Sequence, residues 1–141
     1  MKTYRAQRTY PRAGDAQCSI TVVEGWQGQR ITLPLRAAPR DGQPRPPAVE
    51  FDWGYAGTAP RELARALLAD CFGRKWANQP LLVKAMLDDV VATLAKPGWE
   101  LSERDLAAWA HAWALQHNER ELAALAEILY VRLSTTRVPT P

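Results

Sequence analysis

The fold is decided by the stretch FDWGYAGTAP, residues 51–60, which divides the 141-residue sequence into halves with different hydrophobic periods. Before it, apolar and polar residues alternate, as in strands; after it, apolar residues recur every three or four positions, as in helices. This separation predicts an α+β fold, with an antiparallel sheet of three or four strands in the N-terminal third and about four helices packed on it. The length predicts a single domain at 1–134, with strands in 1–53, helices in 59–134 and a frayed tail at 135–141.

Alternation and β-branched residues predict the strands of the N-terminal half. The predicted strands are 2–10, 17–24, 29–35 and a shorter one at 48–53. A turn with two glycines, residues 25–28, joins the second strand to the third and predicts a hairpin. The proline-rich segment 37–47 lacks backbone donors at four positions, so we expect a connector between sheet and helices there.

Helices are predicted from about Pro60 onward by the 3.6-residue period. They cover 60–72, 80–95, a segment that begins at Ser102, and a segment that follows Asn118. Thr58 is the expected N-cap of the first helix, and Gly73 is its expected stop. Ser102 and Asp105 have the spacing of a capping box at the start of the third helix.

The strand-to-helix corner at 51–61 is the candidate site. Its glycines allow a tight bend, and the first free N–H groups of a helix form a natural anion site, which Arg61 can support. Neither the phosphate-binding P-loop pattern nor the dinucleotide glycine pattern is present. The alternative is purely architectural, with aromatic rings packing the corner and glycines making the bend. The candidate ligand-binding residues are Trp53, Gly54, Tyr55, Gly57, Thr58 and Arg61.

The same ten residues resemble the core motif of an uncharacterised bacterial and phage family of unknown function, approximately F-[DE]-W-G-Y-G-G-[ST]-G-P followed by L-A-x-A-[IL]-L. The resemblance extends over about residues 4–113. The chain departs from the motif at Ala56 and Ala59, where the family usually has glycine, so a ligand has less freedom to approach the backbone there. The resemblance implies no reaction and no ligand, and the family's phage and plasmid contexts imply an accessory function. The matched positions are Phe51, Asp52, Trp53, Gly54, Tyr55, Gly57, Thr58, Pro60 and Leu63.

Basic residues are concentrated near the N-terminus. Residues 1–45 contain eight basic and three acidic side chains, whereas residues 46–141 contain ten basic and twelve acidic ones. A basic half attracts phosphate backbones or an acidic protein, and Arg5, Arg8 and Arg12 are the candidate nucleic-acid contacts. The same charges are also typical of edge strands that are protected against aggregation.

No motif predicts a metal site, a cofactor or a catalytic centre. The cysteines and histidines, Cys18, Cys71, His111 and His117, lack the local spacing of zinc ligands. Cys71 lies on the apolar face of the first predicted helix, which predicts a buried core thiol, and Cys18 has no sequence-adjacent partner for nucleophilic chemistry. Two cysteines do not make a disulfide framework. The sequence has no apolar run of membrane-spanning length and no apolar signal core near its start. We therefore expect a cytoplasmic protein without membrane contact.

These observations favour a small cytoplasmic, non-enzymatic accessory protein that acts by binding, with the corner as a candidate anion or nucleotide site. Three alternatives remain open, and one of them is an enzyme that acts on a nucleotide or phosphorylated substrate, for which Asp52 and Glu62 are the only local carboxylates. The second is a nucleic-acid-associated protein that uses the basic N-terminal sheet. The third is a protein-interaction or inhibitor module of a mobile element, for which we expect an exposed apolar patch and one protein partner.

Overall fold

A computed structural model describes residues 2–10, 17–26, 28–47 and 49–135. In this part of the chain, strands β1 to β4 span Lys2–Thr9, Gln17–Trp26, Gln29–Pro34 and Gly98–Ser102. Helices α1 to α5 span Thr58–Phe72, Arg74–Ala77, Pro80–Asp89, Glu103–Gln116 and Arg120–Thr135, and a short 3₁₀ turn at Val91–Thr93 follows α3. Among these helices, none is long and apolar enough to cross a membrane.

The sheet has the strand order β3-β2-β1-β4, with every neighbouring pair antiparallel. Alternation along β1 buries Tyr4 and Ala6 and leaves Arg5 exposed. Tyr4 pairs with Val22 on one side and Leu101 on the other, so these side chains share the helix-facing side of the sheet. The predicted α+β class is confirmed.

The fourth strand is not the predicted one. Residues 49–53 form no strand, and the position beside β1 is taken by β4 instead. Prolines in the preceding connector remove ladder donors, and the Asp52 carboxylate accepts the N–H of Trp53 at 2.8 Å. Gly98 permits the close approach of β4, since a Cβ there would lie 2.7 Å from the carbonyl oxygen of Ala6.

The observed helices differ from the predicted ones in two places. The predicted helix at 80–95 ends at Asp89, and α2 was not predicted. The predicted capping box is confirmed: Ser102 Oγ accepts the N–H of Asp105, and Asp105 Oδ2 accepts the N–H of Ser102, both at 3.0 Å. The predicted tail at 135–141 lies outside the described residues except for Thr135, which ends α5.

One hydrophobic cluster joins the sheet to all five helices. It contains Tyr4 and Ile20 from the sheet together with Leu67, Met86 and Leu106 from three of the helices, all less than a tenth exposed. Removing such side chains from water is the main stabilising contribution to the fold. A single cluster supports the interpretation of one domain at 1–134, which stays a prediction.

A buried ion pair on α1 holds the proline-rich connector against the helices. Glu62 and Arg65 are 1% and 4% exposed, and Arg65 Nη1 donates to Glu62 Oε2 at 2.8 Å. Every guanidinium N–H of Arg65 is used, because the others donate at 3.0–3.1 Å to the carbonyls of Ala38, Pro39 and Ala77 and to Asn78 Oδ1. Full satisfaction is what makes a buried charge tolerable.

We predict that Arg65→Met lowers the free energy of unfolding by about 3 kcal/mol or more, because it leaves Glu62 buried without this partner. Arg61→Met, one turn earlier on α1 and exposed, is the control and should change stability by less than about 0.5 kcal/mol. Urea unfolding followed by circular dichroism measures both. Equal, small effects in the two variants would contradict a structural role for the pair.

Candidate functional site

The carboxylate of Asp52 holds the strand-to-helix corner together. Its Oδ1 accepts the N–H of Trp53 and forms an ion pair with Arg8 Nη2, while Oδ2 accepts the Tyr55 hydroxyl at 3.1 Å. Cys18 Sγ lies 3.8 Å from Oδ1 and donates to it. Arg8 belongs to β1 and Cys18 to β2, so one side chain joins the sheet to the corner.

The ionisation of this cluster suits binding better than nucleophilic chemistry. Partial burial acts to raise the pKa of Asp52, but hydrogen bonds from Trp53 and Tyr55 and the charge of Arg8 outweigh it, so the pKa is lowered. Burial, reinforced by the charge of Asp52, raises the pKa of the Cys18 thiol even though Arg8 acts to lower it. A thiol that stays protonated near neutral pH is a weak nucleophile.

Trp53 anchors the corner from inside. Its ring is fully buried, and its Nε1 donates to the carbonyls of Ala95 and Lys96 at 2.9 and 3.0 Å. The edge of the ring meets Trp99 at a centroid distance of 5.8 Å. Gly54 follows with φ +86°, and a Cβ there would lie 3.1 Å from Lys96 Cγ, so a side chain would be strained in two ways. Trp53 and Gly54 thus position the corner.

The N-terminus of α1 is left without a side-chain cap. Gly57, not Thr58, occupies the N-cap position, which corrects the sequence-based assignment. Thr58 is already the first residue of the helix. A Cβ at residue 57 would lie 2.8 Å from Cε2 of Tyr55, so a larger residue there would require the Tyr55 ring to move. The helical hydrogen bonds of α1 begin with the Arg61 N–H, which donates to the Gly57 carbonyl at 2.9 Å. The earlier amides, those of Thr58 and Ala59, therefore have no acceptor within α1.

An open cavity of about 510 Å³ lies beside this helix end. Gly57, Thr58 and Arg61 contribute to its lining, together with Arg40, Glu62, Lys84 and Asp88. Two of its cations neutralise its two carboxylates: Arg40 Nη2 lies 2.6 Å from Glu62 Oε1, and Lys84 Nζ lies 2.8 Å from Asp88 Oδ2.

The third cation that lines this cavity is Arg61. It is exposed and has no hydrogen-bonding or ionic partner among the side chains that the structure describes. Its charge adds to the positive end of the α1 dipole, and the first turn of the helix contains no acidic residue. The cavity therefore has an excess of positive potential at the helix end.

A second cavity, of about 600 Å³, lies on the other side of Tyr55 and has the opposite character. Glu50 and Asp52 line it, with Arg8 and Cys18. The Tyr55 side chain is 42% exposed and lines this cavity, and its ring lies beside Gly57, which lines the first one. Lys96 Nζ lies 5.7 Å from the centre of its ring. An anion is therefore favoured on the α1 side only.

The structure brings four of the six candidate ligand residues around the start of α1: Tyr55, Gly57, Thr58 and Arg61. The other two, Trp53 and Gly54, lie behind them as support. Arg40 and Lys84, which come from the connector and from α3, are not among the residues predicted from the sequence. No local pattern marks either residue, because only the packing of the connector and of α3 beside α1 brings them to this cavity.

Two of the three candidate nucleic-acid residues are engaged with protein groups. Arg5 Nε donates to Glu100 Oε2 at 3.0 Å on the exposed side of the sheet. Arg8 is paired with Asp52, and its Nε donates to the Lys96 carbonyl at 3.1 Å. Arg12 lies outside the described residues. Within the described ranges, no group of three or more side chains is arranged to hold a metal ion.

A family model matches residues 19–112, about two thirds of the chain. The chain belongs to DUF6166, a family of unknown function. The DUF6166 match runs from β2 into α4 and includes the whole corner at 51–61. Predicted membership of a family of unknown function is thereby confirmed, while the core motif and a bacterial or phage origin stay predictions. Comparisons with curated proteins and with solved structures gave no match.

We predict that Asp52→Asn lowers the free energy of unfolding by roughly 2 kcal/mol at pH 7, because hydrogen bonds to a charged group are lost. The pKa of Asp52 is lower in the folded chain, so its contribution is present above the unfolded value, about 4, and is lost as pH falls through the folded value. The deficit should therefore shrink below about pH 4.

Denaturant unfolding at pH 7 and pH 3 measures this dependence. Asp88→Asn is the matched control, since its exposed pair with Lys84 contributes little and its loss should be small at both pH values. A deficit in Asp52→Asn that is as large at pH 3 as at pH 7 would contradict the role of its charge.

Proposed function

We propose that this member of DUF6166 is a small cytoplasmic, non-enzymatic binding protein that holds an anionic group, a phosphate or a carboxylate, at the start of α1. The observation that carries the proposal is the uncapped end of α1, which opens into a cavity beside Arg61, a cation without a partner in the described part of the chain.

The physical basis is the sum of three attractions. The amides of Thr58 and Ala59 can donate to an anion, the helix dipole favours negative charge at this end, and the planar guanidinium of Arg61 can donate two parallel hydrogen bonds. Arg40 and Lys84 line the same cavity and add to the potential, although each is already paired. An anion placed here gains hydrogen bonds without breaking either of these two pairs.

A nucleotide is the larger ligand class that fits this description. The cavity volume of about 510 Å³ lies in the range of small-molecule sites. The half-exposed ring of Tyr55 stands beside Gly57 and offers an aromatic surface on which a base can stack. We therefore place the phosphate at the α1 amides and the base toward Tyr55.

The non-enzymatic part of the proposal is supported by the state of the nearby reactive groups. The Asp52 carboxylate already accepts from four donors, and Glu62 is buried in its pair with Arg65. Both Cys18 and Cys71 are free, and burial comes first among the causes that raise the pKa of each thiol. Free cysteines also suit the reducing cytoplasm that we propose as the location.

The nucleic-acid alternative has less support, because Arg5 and Arg8 already donate to Glu100 and Asp52. It predicts binding that weakens steeply with salt, since phosphate contacts release counterions. An accessory role in a phage or other mobile element stays a prediction.

Calorimetric titration with inorganic phosphate and with a nucleoside triphosphate, at fixed ionic strength and pH 7, tests the anion site. Arg61→Gln should raise the dissociation constant at least tenfold, equivalent to about 1.4 kcal/mol. Arg120→Gln, which removes an exposed arginine at the start of α5, should leave it unchanged. Equal weakening by both variants, or no saturable binding of either probe by the unmodified protein, would refute the proposal.

A further inference from the structure

The edge strand β3 carries apolar side chains that nothing in the described chain covers. All six of its residues are exposed. Leu33 pairs with Val22, a buried residue, so Leu33 and Ile31 lie on the helix-facing side of the sheet. They are nevertheless 60% and 55% exposed. The helices therefore stop short of this edge and leave apolar groups in water.

The outer edge of β3 also presents backbone groups for pairing. Leu35 N–H donates to the Ile20 carbonyl at 3.0 Å, which continues the β2–β3 ladder beyond the strand. Bonded pairs recur at every second residue in an antiparallel ladder, so the N–H and C=O groups of Arg30 and Thr32 face outward. Pro34 has no N–H and ends the row of donors. No described strand pairs with this edge, which therefore offers a short, defined pairing site.

A groove of about 410 Å³ lies between this edge and α1. Its apolar lining includes Leu33 of β3 and Ala66 and Ala69 of α1. Asp70 also lines it, but its carboxylate is already bonded to the Tyr4 hydroxyl at 2.8 Å. The groove can therefore receive apolar side chains from a strand added beside β3.

The charges around the β3 edge indicate which side chains an added strand presents on the face that points away from the groove. Arg30 lies on the exposed side of the sheet, and Arg36 lies just beyond the end of β3. Neither has an ionic partner among the described side chains. On the helix-facing side Lys2 and Arg36 line the groove together with Glu24 and Asp70, so its charges balance and its apolar lining selects apolar side chains. An alternation of apolar residues toward the groove and acidic residues toward Arg30 matches both sides.

From this arrangement we propose that the β3 edge binds an extended segment of a partner protein with alternating acidic and apolar residues, which adds antiparallel to the sheet as a fifth strand. Backbone bonds to Arg30 and Thr32 supply affinity, and the groove and the two arginines supply specificity. A second copy of this chain is disfavoured, because pairing two β3 strands would bring Arg30 and Arg36 of both copies to one interface.

The probe is the capped heptapeptide Glu-Val-Glu-Val-Glu-Val-Glu, which is titrated into the protein. Binding is measured by the amide chemical shifts of the protein and by the fluorescence anisotropy of the peptide. In the added strand the glutamates lie opposite Arg30 and Thr32, and their backbone N–H groups donate to these two residues. N-methylation of the glutamates removes these donors and should abolish binding. N-methylation of the valines, with the same composition and charge, should preserve it. Shifts should be largest at the amides of Arg30 and Thr32.

Protein variants provide the second arm. Arg30→Glu with Arg36→Glu should raise the dissociation constant at least tenfold, and Arg120→Glu should not change it. Arg61→Gln should bind the peptide normally, which separates this proposal from the anion site. Indifference to the position of N-methylation, or no shift at millimolar peptide, would overturn the proposal. A concentration-dependent dimer that is dissociated by Ile31→Glu would also overturn the proposal, because the β3 edge would then bind a second copy of the chain.

Discussion

The interaction on which the rest of the structure depends is the set of hydrogen bonds to the Asp52 carboxylate. A single charged group accepts from β1 through Arg8, from β2 through Cys18, and from the corner through Trp53 and Tyr55. Sheet and helical layer meet at this point. Because the carboxylate is held ionised by these donors, the bend after residue 52 is fixed by electrostatics as well as by packing.

The start of α1 lies between two such polar clusters. Asp52 fixes the chain that leads into the helix, and the buried pair of Glu62 with Arg65 fixes the helix one turn later against the connector. A glycine in close contact with Tyr55 then leaves no side chain to cap the first amides. The functional proposal follows from this combination: a rigidly placed helix end whose first amides find no acceptor among the described residues, beside Arg61, which has no partner there either.

Local signals in the sequence were sufficient for much of the fold. The change of period at residues 51–60 predicts the order of strands and helices, and Ser102 with Asp105 predicts a helix start that the structure confirms. β4 was missed because its five residues lie between Pro97 and a capping box, where Trp99 and Leu101 also suit a helix entrance. Only pairing with β1, more than 90 residues away, makes this segment a strand.

The candidate site was predictable only in part for the same reason. The corner residues are contiguous in the sequence, so Gly57, Thr58 and Arg61 could be proposed together as site residues. Arg40 and Lys84 reach the cavity through tertiary packing alone, and the close approach of Gly57 to the Tyr55 ring is likewise a feature of the folded chain. The burial of Trp53, which makes it a support and not a contact, likewise depends on Ala95 and Lys96.

Anion binding at the start of α1 can be measured directly by an amide chemical-shift titration with inorganic phosphate at fixed ionic strength. Binding at the start of α1 should give saturable shifts at the backbone amides of Thr58 and Ala59 and at the side-chain Nε–H of Arg61, with little change at the buried indole of Trp53. Shifts that are absent from these three groups, or that spread without saturation over the exposed arginines, would contradict it.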